Sequence, residues 1–78
     1  MNITYSKQAA KIIDGMDVPT KLRIKLGVEG IPNGDIKPLE GYSDGTYRLR
    51  IGKFRIVFVI DGDTVVVRKI GSRGDIYK

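Results

Sequence analysis

The chain has 78 residues, a net charge of +5, and neither cysteine nor histidine. Those absences exclude disulfide staples, cysteine nucleophiles, thiolate zinc sites, imidazole bases and the histidine-containing triads. So short a chain predicts one domain, 1–78, with a thin two-layer core, and the lack of a long apolar run or an opening signal segment predicts a soluble cytoplasmic protein with no membrane partner.

Asn2–Tyr5 predicts a short strand in which Ile3 and Tyr5 alternate with polar residues. Ser6 stands where a helix cap is needed. Ala9, Ile12, Ile13 and Met16 follow at i, i+3, i+4 and i+7, one apolar stripe that Gly15 would close. Asp17, Val18 and Pro19 mark a second helix start, an acidic cap followed by proline in the first turn. Leu22, Ile24, Leu26 and Val28 alternate with period two, as in a strand. Lys, Arg and Leu favour helix there, and the segment is assigned to a second helix. Residues 30–45 are rich in Gly, Pro, Asn and Asp and read as a connecting loop, pinned to the core by Pro38 and Leu39.

Three strands follow. In Thr46–Ile51, Tyr47, Leu49 and Ile51 alternate with Arg48 and Arg50. Residues 54–60 are almost continuously apolar, as in a central strand. Asp61, Gly62 and Asp63 signal a turn, residues 64–70 form a β-branched strand, and 71–78 an exposed tail. The expected architecture is α+β: an N-terminal strand and a two-helix hairpin packed on a mainly antiparallel four-stranded sheet.

Charge is distributed unevenly. Residues 1–45 balance six basic against six acidic side chains, whereas 46–78 hold eight basic against three acidic, with five of the six arginines. A two-residue Gly52-Lys53 turn would set Ile51 opposite Phe54, Leu49 opposite Ile56, Tyr47 opposite Phe58 and Arg50 opposite Arg55. A two-residue turn between the next strands would set Val57 opposite Arg68. Arg48, Arg50, Arg55 and Arg68 then share one face while the helices cover the other. Like charges opposed across a strand pair destabilise a sheet, so arginines without acids among them point to an anionic partner. The alternative is that Asp75 or Glu40 folds back onto them.

Converging guanidinium groups suit phosphate, and nearby tyrosines offer planes on which single-stranded RNA bases stack. The carboxylates are scattered and form no ligand cluster, so no metal or other cofactor is expected. RNA cleavage would then use the neighbouring 2′-OH as nucleophile, with arginines stabilising the charged transition state. Tyr77, just past Arg73, is a candidate acid or base in so positive a field, with Lys53 and Lys69 as alternatives.

The run Gly45-Thr46-Tyr47-Arg48-Leu49-Arg50-Ile51-Gly52-Lys53-Phe54-Arg55-Ile56-Val57-Phe58 and the closing Gly71-Ser72-Arg73-Gly74-Asp75-Ile76-Tyr77 resemble the RelE/ParE toxin superfamily. Pro38-Leu39-Glu40-Gly41 upstream matches the same pattern. The resemblance implies a β-α-α-β-β-β fold and a type II toxin with a cognate antitoxin. In the RelE-like branch it implies an mRNA interferase acting on mRNA at the ribosome, with operator DNA bound only as the toxin–antitoxin complex. By position it implies Arg48, Arg50, Arg55, Arg73 and Tyr77 as catalytic groups. Lys53, Arg68, Lys69 and Lys78 are expected to bind RNA. Ser72 stands where many relatives carry histidine, a departure that implies either slow cleavage or a larger share of proton transfer for Tyr77. The rival readings are a ParE-like inhibitor of DNA gyrase and an inactive member kept for operon control.

Overall fold

The computed structural model describes residues 2–31, 33–39, 41 and 45–72. In chain order these form strand β1 (Asn2–Tyr5), helices α1 (Lys7–Asp14) and α2 (Val18–Glu29), and strands β2 (Asp35–Pro38), β3 (Thr46–Ile51), β4 (Phe54–Asp61) and β5 (Thr64–Gly71). The strands make one sheet in the order β1-β5-β4-β3-β2, antiparallel throughout except for the β1–β5 pair. The expected α+β class holds, with five strands rather than four. Residues 35–38, assigned to a loop on their Asp and Pro content, instead pair with β3. Pro38 is tolerated because β2 is an edge strand, where one side of the backbone has no ladder to complete.

Each helix is started by a side chain chosen for the purpose. Ser6 Oγ accepts from the Ala9 N–H at 3.1 Å and donates to the Arg68 carbonyl at 2.6 Å, so the cap also ties α1 to β5. Asp17 accepts from the Thr20 N–H at 3.3 Å and the Thr20 hydroxyl at 2.7 Å. The Thr20 hydroxyl and N–H hold the Asp17 carboxyl below the usual carboxylate range. The folded chain therefore binds that proton less readily than the unfolded one. The cap stabilises fully above the ordinary carboxylate pKa and loses its effect as pH falls through the lower folded value.

The helices cover one face of the sheet. Ala9 and Ile13 of α1 and Ile24 and Val28 of α2 are buried with Leu49, Ile56, Phe58, Val65, Val67 and Ile70. The Tyr47 and Phe58 rings stack at 5.7 Å between centroids. Ile12, expected in the α1 stripe, is 40% exposed, because the buried side of that helix is narrower than its apolar pattern. In α2 the period-two alternation resolves into two helical rows: Ile24 and Val28 face the sheet while Leu22 and Leu26 face outward. Gly27 lets α2 approach β3 closely, since a Cβ there would meet Ile51 Cδ1 and Cγ1. No helix among the described residues is long and apolar enough to cross a membrane.

The two rows make a clear prediction. Ile24→Ala should lower unfolding free energy by about 2–5 kcal/mol, whereas Leu26→Ala should change it by about 0.5 kcal/mol at most, both measured by urea denaturation. Equal losses would put alternate residues on one buried face, as in a strand.

Candidate functional site

The core and the candidate site are opposite sides of one hairpin. β3 and β4 pair Tyr47 with Phe58, Leu49 with Ile56 and Ile51 with Phe54, the register expected from the alternation. The intervening residues are thereby set on the face away from the helices, with Arg50 opposite Arg55 and Arg48 opposite Val57. Gly52 begins the connecting turn with φ of +56°, a conformation glycine adopts without steric cost.

The neighbouring strands extend this surface in ways the sequence pattern concealed. β2 adds Lys37 opposite Arg48 and Asp35 opposite Arg50. On the other side the expected pairing of Val57 with Arg68 does not occur. A register shift after Phe58–Val67 sets Val57 opposite Lys69 and Arg55 opposite Gly71. The extra residue in β5 leaves Arg68 and Lys69 together across from Val57, a bulge of the kind that re-aims side chains. Both are exposed, flanked by buried Val67 and Ile70. The result is two rows across the sheet. One runs Lys37, Arg48, Val57, Lys69, and the other Asp35, Arg50, Arg55, Gly71.

One expectation about charge fails. Arg48 Nη2 lies 3.4 Å from Asp35 Oδ1, with the arginine side chain only 11% exposed and the aspartate 53%. The expectation of arginines free of acids overlooked Asp35, because the strand that delivers it read as loop. Among the described residues no ion pair forms at Arg50 or Arg55, although Asp35 is the cross-strand neighbour of Arg50.

Arg23 was not singled out by the sequence, lying in its charge-balanced half. In the fold it reaches the β3–β4 turn: a Cβ on Gly52 would sit 2.9 Å from Arg23 Nη2. Lys53 occupies the same turn, its Nζ 5.5 Å from the centre of the Phe54 ring. No local signal could have placed Arg23 there, since only helix docking brings α2 to the hairpin.

Two tyrosines lie on the helix side of the sheet, away from this surface. Tyr47 belongs to the core through its stack on Phe58. Tyr5 lies on the helix side, and burial, reinforced by Glu29, pushes its hydroxyl pKa up. The candidate residues Arg73, Tyr77 and Lys78, and the possible counter-charges Glu40 and Asp75, lie outside the described residues. Chemically, the described surface offers forked cationic donors that match phosphate oxygens and stabilise charge developing on phosphorus substituents.

The chain has relatives of known family and fold. Residues 3–77 match the family model described as the ParE toxin of the type II toxin–antitoxin system parDE. Toxin RelE3 of Methanocaldococcus jannaschii is 32% identical over 85 residues, covering 99% of this chain and 96% of that protein. The toxin in the crystal structure of a RelB–RelE antitoxin–toxin complex from Methanococcus jannaschii superposes with a TM-score of 0.74 at 30% identity, across 94% of this chain and 93% of that one. The RelBE2 toxin–antitoxin complex from Mycobacterium tuberculosis gives a TM-score of 0.76 at 22% identity, across 95% and 92%, a likeness of fold.

The facing arginines carry a stability signature. Arg55→Ala should leave the unfolding free energy unchanged or raise it by about 0.2–1 kcal/mol at low salt. Any gain should shrink as salt screens the repulsion. A clear loss in salt-dependent denaturation would reveal a counter-charge on Arg55.

Proposed function

This chain belongs to the ParE toxin family of type II toxin–antitoxin systems, within the RelE/ParE superfamily, and on that premise we propose that it is an mRNA interferase, an endoribonuclease that cuts mRNA on the ribosome. The observation that supports this most is Arg50 standing opposite Arg55, beside Arg48, with neither Arg50 nor Arg55 in an ion pair among the described residues although Asp35 is the register partner of Arg50. A surface that accepts like-charge repulsion within its own sheet is suited to a polyanion.

In the proposed reaction Arg48, Arg50 and Arg55 hold the scissile phosphate. The adjacent ribose 2′-OH attacks phosphorus, forming a P–O2′ bond while the P–O5′ bond breaks and leaves a 2′,3′-cyclic phosphate. The 2′ proton passes to a base, and the departing 5′ oxygen takes up a proton. Arg73 is assigned to the negative charge that builds on phosphorus, and Tyr77 to proton transfer. Guanidinium groups stay protonated at any physiological pH, so they position and stabilise rather than exchange protons. Lys53, Arg68, Lys69 and Lys78 would meet flanking phosphates, and Arg23 and Lys37 extend the same field.

The proposed protein partner is a cognate antitoxin, a reading supported by the RelE relative whose structure is a complex with RelB. Operator DNA would be bound only by the assembled pair. A second reading, inhibition of DNA gyrase by protein contact, is favoured by the ParE description of the matching family model.

Induced expression followed by primer-extension mapping of cellular mRNA separates the two. The expected result is codon-phased cuts, with Arg55→Ala lowering the cleavage rate about a hundredfold. Intact mRNA accompanied by gyrase-linked DNA breaks would overturn the ribonuclease reading in favour of the second.

A further inference from the structure

Asp35 is the one described carboxylate placed among the hairpin arginines, since Asp61, on the same side of β4 as Arg55, stands at the far end of that strand. Its place is built into β2. Gly34 before it has φ of +118°, and a Cβ there would stand 3.2 Å from Leu49 Cδ1. Ile36 after it pairs with Leu49 and packs against the core. The residues on both sides of Asp35 are thus tied to Leu49, the buried residue between Arg48 and Arg50.

The ion pair runs diagonally across the strands. Asp35 is the register partner of Arg50, yet its Oδ1 lies 3.4 Å from Nη2 of Arg48. The residue directly opposite Arg48 on β2 is Lys37, a like charge, and on β4 it is Val57. Arg48 is the shielded member of the pair and Asp35 the open one. A half-exposed ion pair of this length adds little to stability. What it does fix is the direction of a planar fork. A guanidinium carries several N–H donors, so a contact through Nη2 leaves others for a phosphate oxygen.

We propose that Asp35 is a positioning residue for RNA cleavage: it pins the Arg48 guanidinium so that the fork meets the scissile phosphate already oriented. This rests on the ribonuclease reading above and adds the residue that prepares its site. Arginine has many rotamers, and a phosphate that had to order one would bind with less effect. A fork fixed beforehand serves the transition state, where donor geometry counts most. The same carboxylate opposes binding, because it offsets part of the attraction for a polyanion. Asp35 therefore raises turnover while it weakens RNA binding.

Single-turnover cleavage of ribosome-bound mRNA by the full chain reads the maximal rate and the half-saturating concentration separately. Asp35→Ala should lower the maximal rate about tenfold. Its affinity for a single-stranded RNA oligonucleotide should instead rise about threefold at low salt, a gain that fades as salt is added. Asp35→Glu, which keeps a carboxylate near Arg48, should restore part of the rate. In an Arg48→Ala background the further change Asp35→Ala should alter the rate by less than about twofold, because the group it positions is gone. Unfolding midpoints check that each variant keeps the fold. A maximal rate for Asp35→Ala within about twofold of the unsubstituted chain would overturn the positioning and leave the ribonuclease reading standing. A tenfold loss that persists in the Arg48→Ala background would overturn it too, and show Asp35 acting on the RNA itself. If the unsubstituted chain left ribosome-bound mRNA intact, the ribonuclease reading would fall and the positioning with it.

Discussion

The pairing register of β3 and β4 is the constraint from which the rest of the molecule follows. Tyr47, Leu49 and Ile51 lie opposite Phe58, Ile56 and Phe54, and this shared face forms the centre of the core. A slip of one residue in β3 would turn its aliphatic side chains outward and drive Arg48 and Arg50 beneath the helices. Burial of each large apolar side chain is worth about 1.5–3 kcal/mol, whereas one like-charge cross-strand pair costs about 0.2–1 kcal/mol. The hairpin can therefore hold Arg50 against Arg55 without losing its register. The cationic surface is the obligatory reverse side of the core.

The same layering divides the molecule into two outward surfaces with different chemistry. The sheet surface is cationic, tempered at Arg48 by Asp35. The helix surface carries the exposed Leu22 and Leu26 of α2 beside Arg23 and Lys25. Arg23 is also the link between them, reaching the β3–β4 turn from the helix layer.

Legibility in the sequence followed the range of the interactions. The Ser6 and Asp17 caps are contacts over three residues, and both were readable from residue type alone. The β3–β4 register was readable because a two-residue turn leaves only one way for two alternating segments to face each other. The α2 alternation was ambiguous, since Leu22, Ile24, Leu26 and Val28 fit a strand face or two helical rows equally well. Docking through Gly27 against Ile51 settled which residues went inward.

Residue order alone thus determined the α+β class, the two caps, the central hairpin and the set of side chains placed away from the core. Tertiary structure decided that residues 35–38 are a strand, that Asp35 answers Arg48, that β5 bulges to present Arg68 and Lys69 together, and that Arg23 joins the turn. The division has a physical cause. Hydrophobic alternation and capping are written into adjacent residues. Edge-strand pairing, a bulge and a cross-layer contact arise only when segments distant along the chain compete for the same space.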